Sequence, residues 1–274
     1  MGRTVLSYTS PNRRAAIFTS ALALTLAGPA LAQTSETDGS VRTRIGLGAQ
    51  VYPSYPGSDK FDVGPMFDFD RARGGEPFHF EAPDESFGFS LFGTGGLQIG
   101  PALNFEGARD AEDVGAPLPK VKFSFEPGAF VSYDFSDSFR LRGEVRKGVT
   151  GHKGWIAVAS SDYVVRDGDA WLFSIGPRLS WSNGRYQDAW FGVSAADALA
   201  SGLPAYDPGG GLHAVGATAS FETQLGPRWG IATYAKYDRL IGDAAKSPVV
   251  RALGSRDQFS GGLSLTYVFE GAWP

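Results

Sequence analysis

Trp171-Leu172-Phe173-Ser174-Ile175-Gly176-Pro177-Arg178-Leu179-Ser180-Trp181 alternates two kinds of side chain. Trp171, Phe173, Ile175, Leu179 and Trp181 share one parity; Ser174, Gly176, Arg178 and Ser180 share the other. A period of two marks a β-strand whose faces meet different surroundings. The stretch is long for a globular strand, which usually runs about 5–6 residues. At roughly 3.3 Å per residue and a tilt near 40°, its two tryptophans stand about 25 Å apart, the height of the apolar band of an outer-membrane barrel.

The same alternation runs through Val41–Val51, Leu97–Phe105, Val121–Tyr133, Phe139–Val145, Trp229–Tyr237 and Phe259–Phe269. Weaker strand patterns fall at 61–69, 77–81, 86–93, 154–165, 187–193 and 212–223. The 37 glycines and 13% aromatic residues suit short segments broken by turns, and no long segment carries a helical period. The reading is all-β: a closed antiparallel transmembrane β-barrel of about twelve strands, with ten as the alternative. Closure is required because backbone in lipid must be hydrogen-bonded internally. Pro127 and Pro177 fall inside good strands and read as bulges or strand ends.

The polar parity holds Arg42, Arg44, Lys122, Glu126, Arg140, Arg142, Glu144, Arg146, Arg178, Arg228, Lys236 and Asp238. These are the candidate lumen charges. Bases predominate among them, so a water-filled lumen would favour anions weakly.

The chain opens differently. Arg3, Arg13 and Arg14 precede the uncharged apolar run Ala15–Ala27, and Ala30-Leu31-Ala32 is a small-x-small cleavage site. Residues 1–32 therefore read as a cleavable signal peptide, and 33–274 as the barrel of a Gram-negative outer membrane. Those 32 residues hold three arginines and no acid, so the remainder is more acidic than the formal −4 of the whole chain. That argues against non-specific nucleic-acid binding. The absence of cysteine excludes disulfides and thiolate metal sites.

The loops carry a resemblance. Gly46 to Ser58, Arg146 to Gly154, Trp190-Phe191-Gly192-Val193, Ser201-Gly202-Leu203-Pro204 and Tyr237 to Ser255 stand in an order and spacing similar to the MipA/OmpV family of MltA-interacting outer-membrane proteins. The resemblance covers nearly all of 45–269, and the Gly-Asp-Ala-x-x-Ser-Pro element from Gly242 to Pro248 is its most specific part. It implies an outer-membrane barrel set in lipid. It also implies a scaffold that joins a murein lytic transglycosylase to a penicillin-binding protein, although other members are linked to adhesion or envelope stress. On that basis Gly242, Asp243, Ser247 and Pro248 form a candidate partner-docking loop, with Asp243 as a helix cap. One departure is the tail: outer-membrane barrels usually end on an aromatic residue, whereas Glu270 to Pro274 follow Phe269.

Nothing marks an enzyme. His79, His152 and His213 have no partner at metal-ligand spacing. Barrel deacylases carry a His-x-Ser pair, but the residues two beyond these histidines are Glu81, Gly154 and Val215. Neighbouring Asp–Asp and Asp–His pairs of the omptin kind are also lacking. No cofactor is expected. The alternative to the scaffold is a small-solute pore.

Overall fold

A computed structural model describes residues 40–271. The signal peptide lies outside the described residues. The chain forms β1 (Val41–Pro53), β2 (Phe61–Arg73), β3 (Phe87–Gly88), β4 (Phe92–Thr94), β5 (Leu97–Glu106), β6 (Ser124–Ser136), β7 (Phe139–Lys147), β8 (Trp155–Asp167), β9 (Trp171–Ser182), β10 (Gly211–Gln224), β11 (Trp229–Leu240) and β12 (Asp257–Glu270). Among the described residues, five short helices lie in the loops: α1 (Ala111–Val114), α2 (Gly184–Phe191), α3 (Ala195–Ser201), α4 (Gly242–Lys246) and α5 (Pro248–Leu253).

All pairings are antiparallel, in the order β2-β1-β12-β11-β10-β9-β8-β7-β6-β5-β3, with β4 also on β5. The first and last strands pair through Leu47↔Leu265 and their neighbours. Arg44 on β1 reaches Glu222 on β10, across two intervening strands, so the sheet is curled and these side chains share its concave face. The outer face keeps the apolar parity: Leu47, Phe67, Leu263, Leu265, Trp171 and Trp181 are all exposed. Ladder pairing joins every sequential neighbour from β5 to β12, and β1 to both β12 and β2. Among the described residues none joins β2 to β3, so the expected hydrogen-bonded closure gives way to two sheet edges.

Strand directions explain that break. Connections 137–138, 168–170 and 225–228 are short and lie at one end with the β4–β5 hairpin. That hairpin turns on Gly95 and Gly96, whose φ values of 55° and 85° are the left-handed conformation a two-residue hairpin requires. Connections 54–60, 107–123, 148–154, 183–210 and 241–256 lie at the opposite end. β2 and β3–β4 both run toward the short-turn end. The strand returning between them should be residues 76–86, and that segment is inside the sheet instead.

Two strand readings need correction. Residues 77–81 belong to this inner segment, because Phe78, Phe80 and Ala82 bury against inward side chains, including Val164 and Leu172. Residues 187–193 carry α2, where the Asn183 side chain caps the first turn by accepting from the Tyr186 N–H.

Pro127 and Pro177 sit within strands, opposite Leu103 and Ala217. The missing N–H is accommodated locally. The β6–β7 ladder begins only at Gly128, and the β8–β9 ladder skips the positions opposite Gly176 and Pro177.

Candidate functional site: the charged interior and its cap

The inner segment brings acids to the basic parity. The Asp84 carboxylate accepts from Arg178 Nε at 3.0 Å, Lys236 Nζ at 3.1 Å and Thr218 Oγ1 at 2.8 Å. Glu85 takes a bidentate pair from Arg140 at 2.6 and 3.1 Å and faces Arg142 at 3.6 Å. Ser86 donates to Glu144 and accepts from Arg146, both at 2.6 Å. Lower down, the Phe78 N–H donates to Asp169, and the Phe78 carbonyl accepts from Arg166. The segment is thus fastened through charged side chains, with little help from a backbone ladder.

Ten of the twelve candidate lumen charges lie on the inward face. Arg44 pairs with Asp68 at 3.0 Å and Glu222 at 2.6 Å, and Arg42 with Asp169 at 2.7 Å. Arg142 and Arg146 both pair with Glu144, and Arg146 also pairs with Glu126 at 3.1 Å. Arg178 adds Asp162 at 2.9 Å, and Lys236 adds Asp238 at 3.2 Å.

Lys122 and Arg228 are corrections. Lys122 precedes β6 and is exposed; Arg228 is an exposed turn residue whose guanidinium reaches the Tyr267 hydroxyl at 3.4 Å. Parity predicts the facing of a side chain only while the residue lies within a strand. The apparent excess of bases also disappears. Asp68, Asp70, Asp84, Glu85, Asp162, Asp169 and Glu222 answer them, and sequence reasoning missed all seven. Asp68, Asp162 and Glu222 lie in stretches read as weak strands, where an inward parity could have shown them; Asp70 lies just past one of these stretches, and the other three stand outside the strands.

The long-loop end is covered by a hydrophobic cap. Trp190, Phe191, Val193, Val249, Val250 and Ala244 are buried there with Tyr186 and Leu240. Arg109 locks it. Its guanidinium donates to the carbonyls of Trp190 at 2.6 Å, Ala189 at 3.1 Å and Pro119 at 3.3 Å. The first two are terminal carbonyls of α2, where a cation complements the helix dipole. Burial holds the Arg109 pKa below its ordinary value. His152, inside loop 148–154, bonds Glu126 at 2.7 Å and accepts the Gly154 N–H on Nδ1, so it is the neutral Nε2–H tautomer holding a turn.

The candidate docking loop is part of that cap. Ser247 is fully buried; its hydroxyl donates to the Phe191 carbonyl at 2.7 Å and accepts from the Val249 N–H at the start of α5. Pro248 takes the first helical position, where a missing N–H costs nothing. Gly242 has φ 58°, and a Cβ there would meet the Leu212 carbonyl oxygen at 2.7 Å. Asp243 caps no helix: it accepts from the Gly209 N–H at 3.0 Å and pairs with Lys246 at 3.1 Å. Those contacts, the Gly209 bond first, hold its carboxyl below the usual carboxylate range. Ser247 and Pro248 therefore shape the cap, and the Ser247 hydroxyl is spent on contacts within it.

A family model described as MltA-interacting protein MipA matches residues 45–269. The chain belongs to this family. It is an outer-membrane protein with an all-β antiparallel fold. A search of curated proteins returned no match. Among solved structures, an outer membrane channel from Pseudomonas putida F1 is 11% identical, with a TM-score of 0.41 over 86% of this chain and 97% of that one. The KdgM porin, solved with disordered oligogalacturonate, is 10% identical, with a TM-score of 0.36 over 84% and 99%. OprG from Pseudomonas aeruginosa is 11% identical, with a TM-score of 0.26 over 85% and 97%.

Proposed function

We propose that the protein is a non-catalytic transmembrane scaffold of the cell envelope, docking a murein lytic transglycosylase and a penicillin-binding protein at its short-turn end. The observation that carries this reading is the occupied interior. Residues 76–86 lie ion-paired inside the sheet, and α2, α4 and α5 cover the long-loop mouth, an arrangement unsuited to a solute path. The exposed apolar outer face, from Leu47 to Phe269, is the surface that outer-membrane lipid would cover. Membrane barrels carry short turns on the periplasmic side and longer loops outside. By that rule 137–138, 168–170 and 225–228 face the periplasm, where the cell wall is, and the Gly242–Gly254 loop faces away from it.

Two measurements test this. Crosslinked envelopes should yield both cell-wall enzymes on capture of the protein, and charge reversals in the short turns should weaken that capture. Purified protein in planar bilayers should stay closed. Steady anion-selective channels from the unaltered protein, without enzyme capture, would favour the small-solute pore.

A further inference from the structure

Between the inner segment and the cap lies a cavity of about 240 Å³, lined by charged and hydroxyl side chains. Its cations are already answered. Arg142 faces Glu85 and Glu144, Arg146 faces Glu126 and Glu144, Arg178 faces Asp84 and Asp162, and Lys236 faces Asp84 and Asp238. One acid is left over. Glu106, at the end of β5, lines the cavity, and its carboxylate has no ion pair or hydrogen bond at bonding distance among the described residues, Arg146 and Lys236 acting on it only from farther away.

The uncharged groups point the same way. Tyr186 is 4% exposed, its ring is fixed edge-on to His152 at 4.8 Å, and its hydroxyl has no partner among the described residues. The hydroxyls of Ser160 and Ser180 also line the cavity without a partner among the described residues. The imidazole of His213, 7% exposed, keeps Nδ1 unbonded. Buried polar groups left without partners are costly, and an unpaired carboxylate most of all.

We propose that this cavity binds a small hydroxylated cation bearing an ammonium group. The ammonium pairs with Glu106, and the ligand's hydroxyls pair with Tyr186, Ser160 and Ser180. An anion would find every lining cation already shared between two acids and would lie against Asp84, Glu85 and Glu144 on the same lining. A neutral polyol would satisfy the hydroxyls and leave the carboxylate unanswered. The site does not depend on whether the protein works as a scaffold.

Glucosamine and glucose are suitable probes, since they share a skeleton and differ at one ammonium. Calorimetric titration of the detergent-folded full chain should show saturable glucosamine binding at least tenfold tighter than glucose. Glu106→Gln should lose at least tenfold of that affinity while heat-modifiability on gels stays intact. Absence of saturable glucosamine binding, equal affinity for glucose, or an undiminished affinity in folded Glu106→Gln overturns the proposal. If Glu106→Gln does not fold, the Ser160→Ala/Ser180→Ala double variant serves. It should weaken glucosamine binding several-fold, and unchanged binding overturns the proposal equally.

Discussion

Asp84→Ala tests whether charge holds the inner segment in place. Asp84 belongs to no strand, yet it joins β9, β10 and β11 through Arg178, Thr218 and Lys236. Removing its carboxylate leaves a buried and a half-buried cation with one acid each: Arg178 with Asp162 at 2.9 Å and Lys236 with Asp238 at 3.2 Å. Breaking a buried ion pair from one side costs about 3–5 kcal/mol, and a hydrogen bond to a charged group is worth about 1.5–3 kcal/mol. Because each cation keeps a second partner, the expected loss is about 2–4 kcal/mol. Urea unfolding of the folded protein in lipid vesicles reads it, with Asp137→Ala in the exposed β6–β7 turn as a control expected to stay within about 0.5 kcal/mol. Adding Lys236→Met to Asp84→Ala removes one stranded cation and should return about 1 kcal/mol or more as coupling. An Asp84→Ala protein as stable as the control, or a cycle with no coupling, would refute the reasoning.

Three further outcomes are expected. Leu265→Arg, on the exposed outer face at the middle of β12, should destabilise the folded protein by about 2–4 kcal/mol in the same assay. Ser180→Gln, facing the cavity, should change stability far less, and equal damage from both would contradict the assignment of faces. Arg109→Ala strips two terminal carbonyls of α2 of their donor and should raise proteolysis of 183–210 by a protease added at the long-loop side; unchanged protection would show that Arg109 does not lock the cap. The Asp243 carboxyl titrates below the usual range, so its tether to Gly209 is present at neutral pH and lost as pH falls through that lowered value. Hydrogen exchange at the Gly209 amide should accelerate over that acid window, and a rate that follows only the intrinsic pH dependence of exchange would remove Asp243 from the tether.

The alternating stretches by themselves determined the fold class, the antiparallel order of neighbours and the inward parity of Arg140, Arg142, Glu144 and Arg178. The physical reason is that a strand's side chains change face at every residue, so one apolar parity names both surfaces at once. The family was legible in the Gly242–Pro248 element and the loops around it. That element's role was not. Gly242, Asp243, Ser247 and Pro248 read as a candidate docking loop, and only packing places Ser247 against the Phe191 carbonyl, a partner far away in sequence. Residues 76–86 were harder still. Phe78, Phe80 and Ala82 alternate with His79 and Glu81 as they would in a wall strand, and periodicity cannot tell one apolar surround from another. Two features of the folded chain decided the matter. Pro77 and Pro83 deny the ladder two N–H groups. Arg140, Arg142, Arg178 and Lys236, gathered on one concave face by three different strands, draw in Asp84 and Glu85 beside the acids that the strands already supply.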